Sequence, residues 1–273
     1  MAIDPTARVA DGACIGEGVE IGPYCIVGPR VELADGARLI AHVHVSGVTT
    51  IGERTVVYPF ASLGTPPQSV HYRGGATRLV VGAHCEIRES VTMNTGTEDG
   101  GGLTSIGERC LFMAGSHVGH DCQVGKSVVF ANNAVIGGHV SVGDYTFLGG
   151  NAAVHQNARV GEGSMVAGLS GITRNLIPYG YARGQIADLA GLNIIGLRRR
   201  GATRADLHRL RRVYSALFLD RGLFVDRFEA VARDCADDAL VGKIITFIRA
   251  GGKLPLMRPR GRHEGGESDD NAA

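Results

Sequence analysis

Ile106-Gly-Glu-Arg-Cys-Leu-Phe112-Met-Ala-Gly-Ser-His-Val118-Gly-His-Asp-Cys-Gln-Val124-Gly sets an apolar residue at every sixth position, with glycine behind most of them. The same step continues through Phe130, Ile136, Val142, Leu148, Val154, Val160 and Val166 to Ile172. Upstream it runs from Ile3 through Val9, Ile15, Ile21, Val27, Leu33, Leu39, Val45, Ile51 and Val57 to Leu63, and it returns at Val81, Ile87 and Met93. All 26 stepped positions are apolar. With apolar residues near half of ordinary composition, chance would produce that roughly once in 10⁸.

A six-residue period with one buried aliphatic per unit fits neither a 3.6-residue helix nor an amphipathic strand. It fits a solenoid of short parallel strands. Three faces of six residues make a coil of about 18, and coils stack about 4.8 Å apart, the spacing of strands in a sheet. Residues 3–173 then form about nine coils, interrupted by two Gly- or Pro-rich excursions at 65–80 and 97–105 that read as loops leaving the wall. Glycine behind the aliphatic is expected where the chain turns a corner that a Cβ would obstruct.

The chain has 273 residues and 28.6 kDa, with 41 Gly, no Trp and only 15 Phe plus Tyr, so it folds by backbone regularity more than by aromatic packing. No apolar run reaches the roughly 18 residues of a membrane span, and the start Met1-Ala2-Ile3-Asp4-Pro5 has no leader-like pattern. These features predict a soluble cytoplasmic protein without stable membrane insertion. The net charge of +1 hides an asymmetry: residues 1–173 hold 10 basic against 15 acidic side chains, and 174–260 hold 17 against 8. The basic segment, with seven Arg between Arg198 and Arg212, suits an acidic partner, and no nucleic acid is expected. From about Ala187 the period becomes helical. Thr203 to Asp206 reads as a capped start for Leu207, Leu210, Tyr214, Leu217 and Phe218, and further helices are expected over 225–235 and 238–250. The expected organisation is a β-helix over 1–186, a small α-helical domain over 187–260 and a disordered tail over 261–273. Cys25, Cys85, Cys110 and Cys122 stand two residues before stepped positions and read as small core residues, not as metal or disulfide partners.

Winding the coil gathers histidines. One coil of 18 puts His139 above Asp121 and Gly138 above His120, and a second takes His120 to Gln156, beside His155. His117, His120, Asp121, His139, His155 and Gln156 thus fall near one edge within about 10 Å along the axis. Imidazole takes a proton near neutral pH and a carboxylate can fix its tautomer, so His120 with Asp121 has the makings of a general base. No Ser, Cys or Lys reads as a covalent nucleophile. Direct acyl transfer to a hydroxyl or amine needs a base and an oxyanion donor, and Gly138 offers a bare backbone N–H. No cofactor and no metal are expected.

The aliphatic-Gly hexads resemble the left-handed β-helix of the hexapeptide acyltransferases. The runs His117-Val-Gly-His120-Asp121-Cys, Gly137-Gly138-His139, Ala153-Val154-His155-Gln156 and Gly191-Leu-Asn193 to Arg199-Arg200-Gly201 are similar to those of the UDP-N-acetylglucosamine O-acyltransferases that draw on acyl carrier protein. The similarity spans about residues 3–250. It implies an all-β, left-handed parallel β-helix with a small α-helical C-terminal domain, and transfer of a 3-hydroxyacyl chain to the 3-position of the UDP-sugar as the first step of lipid A biosynthesis. His120 would be the base, Asp121 its partner and Gly138 N–H the oxyanion donor. His117, His139, His155 and Gln156, with Gln68, Ser69 and His71 of the first excursion, would line the substrate. Asn193, Arg199 and Arg200 would hold the UDP, and Gly168 would act as ruler of the acyl chain. The family is a homotrimer with sites between subunits, and the Arg-rich helices would dock the carrier.

Several positions depart from the family pattern. Ser69 and His71 stand where better-known members carry Asp and Lys, Asn94 and Ile186 where His is frequent, and Ile195 where an acid lies near the uridine. An Asp would hold a 3-ammonium protonated, whereas Ser69 and His71 suit a neutral amine, so the loop predicts acceptance of the 3-amino analogue of UDP-N-acetylglucosamine with an amide product. Three rivals share the architecture. A γ-class carbonic anhydrase wants two zinc-binding His five apart, but Cys122 stands five after His117. A nucleotidyl-sugar N-acyltransferase fits the 193–201 motif poorly, and a non-catalytic solenoid has no use for the histidine edge.

Overall fold

The computed structural model describes residues 2–260; the tail expected to be disordered lies outside the described residues. Two-residue strands recur at each hexad and pair in parallel with the strand one coil on, Val9 with Val27 and Phe112 with Phe130. They build three sheets of eleven, nine and eight strands, the faces of a triangular prism. The first face carries Ile21, Leu39, Val57, Phe112 and Leu148 inward, the second Val27, Val45, Val118, Ile136 and Val154, and the third Leu33, Ile51, Ile106, Val124 and Val142. The coil is left-handed, against the usual right-handed preference for crossovers. Every stepped aliphatic from Ile21 on is buried, whereas Ile3, Val9 and Ile15, in the first coil with a neighbour on one side only, are not. Cys25, Cys85, Cys110 and Cys122 are buried free thiols inside the prism.

The glycines behind the aliphatics do stand where a Cβ would be obstructed. Few of them have a positive φ; the obstacle is the neighbouring coil, and a Cβ on Gly107 would lie 2.6 Å from the Gly125 carbonyl carbon. The left-handed backbone falls instead three residues before each aliphatic, at Tyr24, His42, Arg109, Asp121, Asn133, His139 and Asn151 among others. A residue with a Cβ pays roughly 1–2 kcal/mol for that conformation, and the coil imposes it at almost every corner.

The two excursions are where expected. Val57 pairs with Ile87, thirty residues on, and Ile87 with Phe112, twenty-five on, so the wall closes over twelve and seven inserted residues. Asn94, buried at the end of the strand Thr92–Asn94, donates through Nδ2 to Thr65 Oγ1 and the Pro66 carbonyl, both at 3.0 Å, and roots the first loop. The sheet runs past residue 186. Strands Gly180–Arg183 and Asp188–Leu192 form an antiparallel pair that ends the first face. Helix α1 (Ile194–Arg199) follows, then α2 (Arg204–Phe218), α3 (Phe224–Asp234) and α4 (Ala239–Arg249). Thr203 caps α2 in a reciprocal capping box with Asp206, and Leu207, Leu210, Val213, Leu217 and Phe218 form its buried stripe. Among the described residues no helix is long and apolar enough to cross a membrane.

Candidate active site

The corner between the second and third faces carries the histidine edge. His139 N–H donates to the His120 carbonyl at 2.9 Å and Asn157 N–H to the Gly138 carbonyl at 3.0 Å, which stacks 120 on 138 and 121 on 139 as the 18-residue step requires. His120 Nδ1 lies 2.8 Å from Asp121 Oδ2, with the imidazole 19% exposed and the carboxylate 1%. An Nδ1–H donating to that oxygen leaves Nε2 as the free basic atom. The ring lies against Gly138, where a Cβ would be 2.5 Å from Cε1 and Nε2. No carbonyl takes the Gly138 N–H, among the described residues.

Asp121 is held from below. Thr97 N–H donates to Oδ1 at 2.9 Å, and the Thr97 hydroxyl to Oδ2 at 2.6 Å. Burial alone would push this carboxyl up, but the donors from Thr97 and His120 outweigh it, so Asp121 sits below the ordinary carboxylate range. The rings of His139 and His120 meet edge to face at 5.0 Å, and His139 Nδ1 is 3.9 Å from Asp121 Oδ2. Burial lowers the His139 imidazole, the Asp121 charge opposing. Burial likewise lowers His117, whose Nδ1 is 2.7 Å from Thr92 Oγ1. His120, Asp121 and His139 bring three donor atoms within 4.8 Å, close enough to share a cation, though Asp121 Oδ2 already accepts from Thr97 and His120.

Other expected residues lie apart. His155 and Gln156 are exposed on the same edge one coil above Gly138, with His155 Nδ1 donating to the Gln156 carbonyl at 2.9 Å. Gln68 and His71 are exposed on the first loop, and Ser69 Oγ accepts the His71 N–H at 3.3 Å. Asn193 is spent on structure: Oδ1 accepts from Gly196 N–H as the cap of α1 and Nδ2 donates to the Gly163 carbonyl, both at 2.9 Å. Arg199 and Arg200 are exposed, Arg200 beside the rings of Tyr145 and Tyr179. Gly168 is exposed at the corner between the first and second faces, across the second face from His120. Ile186 and Ile195 are exposed. Sequence reading missed Thr97 as a site-shaping residue, and it marked Asn94 only as a departure from the family pattern, without its role as root of the first loop.

The family model described as UDP N-acetylglucosamine O-acyltransferase, domain 2, matches residues 176–256, and the bacterial transferase hexapeptide model matches 103–138. The acyl-(acyl-carrier-protein):UDP-N-acetylglucosamine O-acyltransferase of Azorhizobium caulinodans is 61% identical over 94% of this chain and 95% of its own, and that of Caulobacter vibrioides 49% over 95% and 98%. The solved UDP-N-acetylglucosamine acyltransferase of Campylobacter jejuni superposes with a TM-score of 0.89 at 33% identity, covering 94% of this chain and all of the other. With a histidine–aspartate pair on a hexapeptide coil and near-full-length identity at these levels, the chain belongs to the acyl-(acyl-carrier-protein):UDP-N-acetylglucosamine O-acyltransferase family.

Proposed function

We propose that this chain transfers a 3-hydroxyacyl group from acyl carrier protein to the 3-hydroxyl of UDP-N-acetylglucosamine, the first step of lipid A biosynthesis. The observation that carries this reading is the His120–Asp121 pair seated on Gly138. His120 Nε2 takes the hydroxyl proton as the sugar oxygen bonds to the thioester carbon, and Asp121 stabilises the imidazolium. The carbonyl oxygen, negative in the tetrahedral intermediate, accepts from Gly138 N–H. The C–S bond then breaks and His120 returns the proton to the departing thiolate of the carrier. His117, His139, His155, Gln156, Gln68, Ser69 and His71 line the sugar and pantetheine. Asn193 shapes the turn that presents Arg199 and Arg200 to the diphosphate, and Gly168 leaves room for a long acyl chain.

The active form is a homotrimer. Towards the C-terminal half, outward residues of the third face are polar (Ser105, Gln123, Ser141, Arg159), whereas the first face shows Leu111, Val129, Phe147 and Met165, and the second Val135 and Ala153. Leu169, 72% exposed, stands on the corner they share. Two unlike apolar faces meeting at one corner suit a closed ring in which the first face of one subunit packs on the second face of the next. Arg198, Arg204, Arg211 and Arg212 are exposed and, among the described residues, form no ion pair, which leaves them for an acidic carrier; Arg209 is engaged by Asp206 and Asp238.

The relatives are named for ester formation, so the amide reading drawn from Ser69 and His71 is the less supported one. Mass spectrometry of the product from 3-hydroxyacyl carrier with UDP-N-acetylglucosamine and with its 3-amino analogue separates them. His120→Ala is expected to lose about 10²–10⁴ in kcat with the circular dichroism unchanged, and a folded variant near full turnover overturns the assignment.

A further inference from the structure

We infer that Thr97 is a positioning residue of the catalytic pair: its hydroxyl and amide hold Asp121 ionised and aimed at His120. This rests on the reading of His120 as base. The geometry leaves Thr97 little else to do. Its hydroxyl donates to Asp121 Oδ2 at 2.6 Å while accepting from Gly100 N–H at 3.1 Å, so its single proton has one direction. Its amide reaches both carboxylate oxygens, at 2.9 and 3.1 Å. The Gly102 N–H closes the loop on the Thr97 carbonyl at 2.9 Å. Glycine is required on either side, because a Cβ on Gly96 would come 2.7 Å from Asp121 Oδ1 and one on Gly100 would collide with the carboxylate. The second excursion is thus a glycine-lined cradle for one buried charge, built from outside the 18-residue register.

A buried carboxylate whose only strong donor is the base it serves would share the base's proton and hold the imidazolium too tightly. Donors from Thr97 divide that charge and fix which oxygen faces Nδ1. Thr97→Val keeps the volume and the amide bond but removes the hydroxyl. The expected result is a fall in kcat of about tenfold to a hundredfold, the range for losing one hydrogen bond to a charged group, with KM for UDP-N-acetylglucosamine within about twofold. The acid limb of the kcat/KM profile should move to higher pH, because the carboxylate charge then falls more on His120 and keeps it protonated. Thr97→Ser, which retains the hydroxyl, should restore both kcat and the limb. If Thr97→Val does not accumulate as folded protein, Thr97→Ala is compared with Thr97→Ser by the same two readouts. Wild-type kcat and an unmoved limb in the folded variant overturn the inference, and so does a loss that follows melting temperature alone with the limb in place. Full activity of His120→Ala would instead remove the base reading beneath it, so the two failures are distinguishable.

Discussion

Where His120 can sit is decided by a glycine one coil away. A methyl group at position 138 would meet the imidazole 2.5 Å from Nε2, and position 138 has no positive φ that would penalise alanine on its own account. Gly138→Ala therefore should leave the coil folded while swinging the ring off Asp121 Oδ2. We expect kcat/KM to drop about a hundredfold or more with melting temperature within a few degrees; retention of more than a tenth of the activity would separate the ring's position from catalysis. The stacking of 138 on 120 and of 139 on 121 was legible in the sequence, because the coil repeats at a fixed interval and simple addition finds the neighbour. Thr97 was not, since a seven-residue insertion lies between it and Asp121 and the step at that point is twenty-five, as Thr92 pairs with His117. That longer step carries Gly96 onto Asp121. The spent amide of Asn193 was likewise invisible, because the strand pair and short helix it joins carry no periodic signal.

Loops, not strands, distinguish this coil from a plain wall, and the two excursions are tied to one another. Glu98, next to Thr97, accepts from Gly75 N–H at 2.6 Å and Arg73 N–H at 3.3 Å, joining the loop that bears Gln68, Ser69 and His71 to the loop that grips Asp121. Backbone N–H donors, its own first and then those of Gly75 and Arg73, hold the Glu98 carboxyl below its ordinary range. The tie is accordingly intact above the usual carboxylate pKa and is lost as pH falls through the lower folded value. Glu98→Ala should free the first loop and raise KM for the UDP-sugar about fivefold or more with kcat nearly unchanged, as steady-state kinetics would show. An unchanged KM would mean the loop is held by its Asn94 root alone. The positions of both loops followed from interruptions in the hexads, but their mutual tie did not, because nothing in the run Glu98-Asp99-Gly100 marks which carboxylate reaches the other loop. In the helical part, the α2 cap and apolar stripe were readable by spacing, and the strand Asp188–Leu192 was missed where the six-residue period had already stopped.

At the scale of the whole molecule, two faces of the prism are apolar towards the C-terminal half and one is polar, which gives the proposed trimer a testable seam. Phe147 points outward on the first face between Val129 and Met165. Phe147→Asp should convert sedimentation from three times the 28.6 kDa chain mass towards one, and activity should fall in parallel if the edge at His120 is completed by a neighbour. A fully active monomer would contradict that arrangement. The prism itself was the most legible feature, because one buried aliphatic per hexad is a signal summed over many repeats. The same regularity has a kinetic side. Nearly every strand pairs with the one 18 residues ahead, so each coil can be laid on the last as the chain leaves the ribosome, like a zipper with a single tooth length. The twelve- and seven-residue insertions lengthen that closure to thirty and twenty-five residues, an entropic cost of only about half a kcal/mol. Growth passes through them with little delay, and the cradle at Thr97 closes only when the following coil delivers Asp121.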